Sequence, residues 1–311
     1  MPKMMAIRMH EFGDADVLRL DQIERPSPGE NEILVRVAAA SVNPVDWKIR
    51  KGGYPAVKQD DLPIVPGRDL AGTVEALGRQ ATGFASGDRV IAFLDTKRGG
   101  YEEYVAVPAA LLTKMPSSIS FEEAAAIPLA AMTAWQGLFD HGRLRSEQRV
   151  LIHGGGGGVG HFAIQFAKAK GAWVATTVSG LDIDLARRLG ADQVIDYKSE
   201  RFEDMLDPVD MAFDLVGGET QKRSFEVIKN GGVLVSTLGE PERPDTVSGN
   251  IRVAGYMATP NAGQLHEIVD LIEQGQVKVL LHKVFPLDMA ADAQRTLESE
   301  HVQGKIVLSV D

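Results

Sequence analysis

Cysteine is missing altogether from this 311-residue chain, which excludes disulfides, thiolate zinc centres and cysteine nucleophiles together. Positive charge is also short. The 33 lysines and arginines face 43 aspartates and glutamates, and the net charge of -10 argues against non-specific binding of nucleic acid or anionic membrane. The most apolar stretch, residues 124–138, is alanine-rich and interrupted by Pro128, so no membrane span is expected. Charge appears at Lys3, too early for a signal peptide, and the expected location is the cytoplasm. There is no repeat, low-complexity tract or disordered linker, and the length suits two domains, each with its own core.

What the chain does have is glycine concentrated at one place. Val150-Leu151-Ile152-His153 reads as a short buried strand, Gly154 to Gly158 as a turn, and the residues from Val159 to Lys168 as a helix with apolar positions at helical spacing. Gly155, Gly157 and Gly160 satisfy G-x-G-x-x-G in that strand-turn-helix context. Without a Cβ the backbone turns sharply, presses against a pyrophosphate and points helix amides at its charge. Five successive glycines would otherwise cost folding entropy for no packing gain.

Up to about Pro116 the pattern is β. Short apolar or alternating runs at 33–37, 72–77, 89–93 and 103–107 are separated by proline and glycine turns, and the expectation is a partly open barrel. Ser120 with Glu123 makes a capping box before an alanine-rich helical stretch that Pro128 should kink or divide. From Arg149 strands and helices alternate, with strands near 150–153, 173–178, 192–195, 211–215, 233–237 and 251–257. Six such strands imply a doubly wound parallel sheet whose ligand lies across the strand carboxyl ends, at 154–160, 214–218 and 237–239. A helix near 262–274, a run at 283–285, a helix from about Asp288 and a strand at 305–308 complete the expectation.

A β-rich first part, a Rossmann middle and a closing Gly304-Lys305-Ile306-Val307 run resemble the medium-chain dehydrogenase/reductase superfamily, over nearly the whole chain. The match is to its zinc-free quinone oxidoreductase branch, which includes alkenal reductases. It is carried by Ser41-Val42-Asn43-Pro44-Val45-Asp46-Trp47, Pro66-Gly67-Arg68-Asp69-Leu70-Ala71-Gly72, Ala131-Met132-Thr133-Ala134-Trp135, the glycine turn, and Leu189-Gly190-Ala191-Asp192 through Tyr197. The resemblance implies an α/β protein with a discontinuous GroES-like catalytic domain at 1–122 and 284–311 and a Rossmann NAD(P)-binding domain at 123–283. It also implies a homodimer, with pairing across the apolar edge strand at 251–256.

Zinc alcohol dehydrogenases of this superfamily hold their metal with a cysteine in the segment matching 41–46 and a histidine after the glycine matching Gly67. Here the first segment has no cysteine, Arg68 occupies the second position, and seven histidines are scattered, so no metal is expected where three ligands would be needed. Without a Lewis acid to hold an alkoxide, the expected reaction is NADPH-dependent reduction of quinones or α,β-unsaturated carbonyls, whose product anions hydrogen-bond donors can stabilise. An NADPH-binding sensor or structural protein is the alternative, and a zinc alcohol dehydrogenase a remoter one.

Individual residues keep two readings each. Asn43 is implied beside the nicotinamide, or is a plain Asn-Pro turn residue. Lys48 faces substrate or cofactor, or is a solvated lysine. Tyr54 donates to the acceptor carbonyl, or packs. Thr133 touches the nicotinamide, or is a buried helix threonine. Gly155, Gly157, Gly158, Val159 and Gly160 take the pyrophosphate, and the resemblance adds Val216, Leu238 and Lys305 to the cofactor set. The place of the acid that selects NAD, about 20 residues past the glycines, is taken by Ser179-Gly180. With Tyr197 this favours a 2′-phosphate and hence NADPH over NADH, although Leu181 and Asp182 replace the basic residues of some relatives. Asp182 either caps the next helix or binds ribose. The substrate pocket walls are expected from the loops at 54–62 and 240–250.

Overall fold

The computed structural model describes residues 2–96, 98–244 and 249–310. The chain divides into two units, one made of Met1–Leu129, Pro260–Glu273 and Val279–Asp311, the other of Ala130–Thr259 and Gln274–Lys278. In chain order the strands are β1 (Lys3–Met9), β2 (Leu18–Glu24), β3 (Glu32–Val42), β4 (Asp69–Leu77), β5 (Arg89–Phe93), β6 (Tyr104–Pro108), β7 (Leu112–Lys114) and β8 (Arg149–His153). Then follow β9 (Trp173–Val178), β10 (Gln193–Asp196), β11 (Val209–Asp214), β12 (Ile228–Ser236), β13 (Arg252–Gly255), β14 (Leu281–Pro286) and β15 (Lys305–Ser309).

The first unit is built on β3. Its sheet runs β14-β15-β3-β4-β5-β7, with β6 also paired to β3. Residues two apart along each strand share a face. Accordingly Ile33, Val35 and Val37 of β3, Leu70 and Val74 of β4, Val90 and Ala92 of β5, and Ile306 and Leu308 of β15 meet in one buried cluster. The strand β15 lies antiparallel to the end of β3, with Ile306 opposite Val42 and Val307 opposite Ser41. A separate antiparallel ribbon joins β1 and β2, two strands that the composition of 3–24 did not announce.

The second unit carries a six-stranded sheet in the order β10-β9-β8-β11-β12-β13, every neighbouring pair parallel. This is the doubly wound order, which reverses on either side of β8 and opens the ligand crevice at its carboxyl end. The inner strands β8, β9, β11 and β12 are largely buried, so their sequences read as mostly apolar runs. Leu151, Ala175, Ile195, Ala212 and Leu234 are buried, as are Val150, Ile152, Val174, Met211, Phe213 and Val233. The helix Phe121–Ala125 opens on the Ser120–Glu123 capping box, and a new helix, Pro128–Trp135, starts at the proline. Among the described residues no helix is long and apolar enough to cross a membrane.

Candidate active site

In the second unit β8 ends at His153 and the chain turns at Gly154, whose φ of +81° only glycine adopts without strain. The amides of Gly154 and Gly155 donate to the Thr177 carbonyl at 3.1 and 3.3 Å, so the turn is pinned to β9. Packing explains some of the other glycines. A Cβ on Gly155 would come within 2.2 Å of Thr176 Oγ1, and one on Gly160 within 2.1 Å of the Gly154 carbonyl. Gly157 differs, because a Cβ there would meet nothing closer than the Gly154 carbonyl at 3.5 Å, an ordinary contact. The protein's own packing does not require a glycine at 157. Gly155, Gly156 and Gly160 are buried, whereas Gly157, Gly158 and Val159 form a half-buried rim. The helix Gly160–Ala169 starts at that rim without a side-chain cap, so the rim carries the positive end of a helix.

On one side of the turn, β9 and β10 end in register, Val178 opposite Asp196, and the next residue on each is Ser179 and Tyr197. Ser179 is buried and its Oγ has no hydrogen-bond partner, while Tyr197 is exposed. Lys198, also exposed, is a cation at this corner that the reading of 179–182 passed over. Asp182 stands at the N-cap position of the helix Ile183–Arg188 and its carboxylate lies against Gly156, 2.5 Å from where a Cβ would be. On the other side, Val216 follows β11 and Leu238 follows β12, both apolar and about half exposed. Thr133 is buried in the helix Pro128–Trp135, and its carbonyl accepts from the Tyr256 hydroxyl. His153 is held between the hydroxyls of Thr177 and Ser224, each at 2.9 Å. Burial pushes its imidazole down to about 4, so it is neutral.

The first unit gathers a second group of residues. Asn43 stands at the N-cap of the helix Pro44–Arg50, with Pro44 in the first turn and the Asp46 carboxylate accepting the Asn43 amide at 2.8 Å. The Asn43 carboxamide is engaged at both ends. Its Nδ2 donates to Asp69 Oδ2 at 2.8 Å and to Ser41 Oγ at 3.3 Å, and its Oδ1 accepts from the Lys305 ammonium. Asp69 also accepts from the Ser41 hydroxyl at 2.5 Å and from the Leu129 amide at 2.6 Å. Lys305 donates to the Val42 carbonyl at 3.0 Å, and the Tyr101 hydroxyl to Asp46 Oδ2 at 2.9 Å. All six side chains are buried, and Asp46 Oδ1 is left without a partner. Burial raises the Asp46 carboxyl to about 7 against the hydrogen bonds from Asn43 and Tyr101. It raises Asp69 too, and it lowers Lys305 against the attraction of both carboxylates.

Lys305 therefore lies in the first unit, bonded to Asn43. Lys48 is half-buried with its ammonium 5.7 Å from the Trp47 ring centre, and Tyr54 packs partly buried on the first unit's core. Arg68 is buried with its Nε donating to the Leu94 carbonyl at 2.9 Å. Asp46, Asp69 and Tyr101 were not singled out from sequence. The available signal was two carboxylates set in apolar stretches. Of the pocket loop expected at 240–250, residues 245–248 lie outside the described residues. Among the described residues no group of three or more histidine, aspartate or glutamate side chains is placed to hold a metal ion.

The chain matches the family descriptions "Alcohol dehydrogenase GroES-like domain" over residues 29–117 and "Zinc-binding dehydrogenase" over residues 189–308. It is 37% identical to the chloroplastic NADPH-dependent alkenal/one oxidoreductase of Arabidopsis thaliana, over 99% of this chain and 80% of that protein. It superposes on the quinone oxidoreductase of Coxiella burnetii with a TM-score of 0.90 at 33% identity, covering 100% of both chains. Against the Escherichia coli quinone oxidoreductase complexed with NADPH the TM-score is 0.86 at 30% identity, over 98% of this chain and 99% of that one.

Proposed function

Because the chain belongs to the medium-chain dehydrogenase/reductase family, we propose that it is an NADPH-dependent reductase of quinones or α,β-unsaturated carbonyls that works without zinc. The observation that carries the reading is what stands where alcohol dehydrogenases of the family keep zinc ligands. The segment 41–46 holds no cysteine, and Arg68 is committed to the Leu94 carbonyl, so neither place offers a thiolate or an imidazole. An acceptor whose reduction leaves a delocalised anion is the substrate such a site suits.

The second unit fits the cofactor. The open space at Gly157 and the half-buried rim of Gly157, Gly158 and Val159 suit a pyrophosphate at a helix N-terminus. The unpartnered Ser179 hydroxyl, with Tyr197 beside it, offers a donor to a 2′-phosphate. Thr133, Val216 and Leu238 are assigned to the nicotinamide half. When bound, NADPH supplies the hydride. The chain's side chains bind and orient. The Tyr54 hydroxyl and the Lys48 ammonium serve as donors to the acceptor oxygen as charge develops on it. Asn43, engaged at both ends, presents a fixed wall. We further propose a homodimer, because β13 ends the sheet with no strand on its outer edge among the described residues.

Absorbance at 340 nm should fall when the protein and NADPH meet 1,4-benzoquinone, 9,10-phenanthrenequinone or small enones, and dialysis against a chelator should leave that rate unchanged. No turnover on any acceptor would overturn the enzymatic reading, and tight NADPH binding in the same samples would then favour the sensor alternative. Light scattering at micromolar concentration should give twice the chain mass of 33.6 kDa, and a clean monomer would refute the dimer.

A further inference from the structure

Where the ladder between β11 and β12 ends, side chains continue it. Asp214 is completely buried at the end of β11, yet its carboxylate collects four donors. Oδ1 accepts from the amides of Val216 at 3.0 Å and Gly217 at 2.8 Å, and Oδ2 from Gln221 Nε2 at 2.8 Å and the Ser236 hydroxyl at 3.0 Å. The Ser236 oxygen in turn accepts from the Leu238 amide at 3.1 Å and from Gln221 Nε2 at 3.0 Å. Every hydrogen of the Gln221 amide group and the Ser236 hydroxyl is used, and both oxygens of the carboxylate are satisfied. The network joins the two turns beyond the last backbone bond between them, from the Thr237 amide to the Asp214 carbonyl at 3.3 Å. What those turns carry is a pair of apolar side chains, Val216 and Leu238, about half exposed, on backbone that the network holds. Gly217, at a φ of +78°, allows the approach, since a Cβ there would come within 2.7 Å of Leu238 Cδ1.

The sheet order decides what this platform meets. β9 and β10 lie on one side of β8, and β11 and β12 on the other, so Ser179 and Tyr197 flank the glycine turn opposite Val216 and Leu238. A dinucleotide anchored at its 2′-phosphate by the first pair extends its other half over the second. We propose that Asp214, Gln221 and Ser236 are positioning residues that set Val216 and Leu238 against the nicotinamide half of the cofactor, an inference that rests on the NADPH reading above. None of the three touches the cofactor itself. They act through the turns they tie.

Calorimetry with two probes tests this, NADPH and adenosine 2′,5′-bisphosphate, the latter lacking the nicotinamide half. Asp214→Asn places an amide NH2 against backbone donors, and it should weaken NADPH binding about tenfold or more while leaving the bisphosphate within about twofold. Gln221→Ala, at a half-exposed position, should do the same about threefold and keeps the test open if the first variant fails to fold. In both variants the amides of Val216, Gly217 and Leu238 should exchange faster with solvent in the cofactor-free protein. Equal loss of both probes, or loss of neither, overturns the inference. If the unaltered protein binds the bisphosphate and NADPH with no difference that the variants change, the positioning role fails alone. If it binds neither probe, the NADPH reading falls and this one with it.

Discussion

Two buried polar networks, one in each unit, are held in opposite ways. In the second unit, Asp214 is saturated by four donors and His153 sits neutral between two hydroxyls, so these two groups are each fully matched, although the Ser179 hydroxyl is not. In the first, two carboxylates lie in the field of one ammonium that is hydrogen-bonded to Asn43 rather than to either of them, and an oxygen of Asp46 is left with no donor. A matched network holds a shape. A network short of one positive charge holds a shape and also responds to protons and to the loss of any member.

Removing the single cation should expose the contrast most strongly. Lys305→Met leaves Asp69 and Asp46 buried without a counter-charge, and the expected loss is about 3–5 kcal/mol, read as a lower melting transition for the first unit. The reverse result, unchanged melting, would mean that the carboxylates are already neutral in the native protein.

The opposite responses to pH come next. Asp46 titrates near 7 in the folded chain against an ordinary 3.8, and Glu102, raised mainly by burial, near 8 against 4.5. Both hold a proton that the unfolded chain releases. Their contribution is complete below about pH 4 and fades as pH rises toward 7 and 8, by on the order of 4 kcal/mol at most for each. His153 runs the other way. Its folded value of about 4 lies below 6.5, so its contribution is present above 6.5 and lost as pH falls toward 4. Asp46→Asn should flatten the first trend and His153→Leu the second, both visible in melting curves between pH 4 and 8. If the two transitions shift in parallel, the assignment of opposite signs is wrong.

Cofactor choice sharpens the comparison inside the second unit. Ser179→Asp puts a carboxylate where the 2′-phosphate is assigned, and kcat/KM for NADPH should fall roughly 10- to 100-fold with NADH unchanged or improved. Equal loss for both cofactors would point to Asp182 as the ribose ligand instead. A smaller effect separates two glycines of one turn. Gly157→Ala should fold normally and lower NADPH affinity about tenfold. Gly155→Ala should destabilise the fold, because its Cβ collides with Thr176.

The parallel sheet was legible because most of its strands are short runs of apolar residues followed within a few positions by glycine or aspartate, a signal that needs no knowledge of partners. The ribbon of β1 and β2 was not, since residues such as Arg19, Asp21 and Gln22 dilute the alternation. The helix Pro44–Arg50 was hidden by Asn43-Pro44, which reads equally as a turn or as an N-cap followed by a first-turn proline. Individual donors such as Ser179 could be named from their place after a strand. The company they keep could not. That Asn43 would be engaged at both ends depends on Asp69 and Lys305, and local pattern says nothing of partners so far apart.

The hydrogen bond between Lys305 and Asn43 spans 262 positions of sequence, and that interval imposes an order on assembly during synthesis. When β3 and β4 have left the ribosome, Asp69 and Asp46 are present but their ammonium has yet to be made, and the whole second unit must be translated first. Closing so long a loop is slow and entropically costly. The Ala39–Val42 end of β3 stays without its β15 partner until the last residues are made, so the network around Asn43 is the last part of the first unit to be completed.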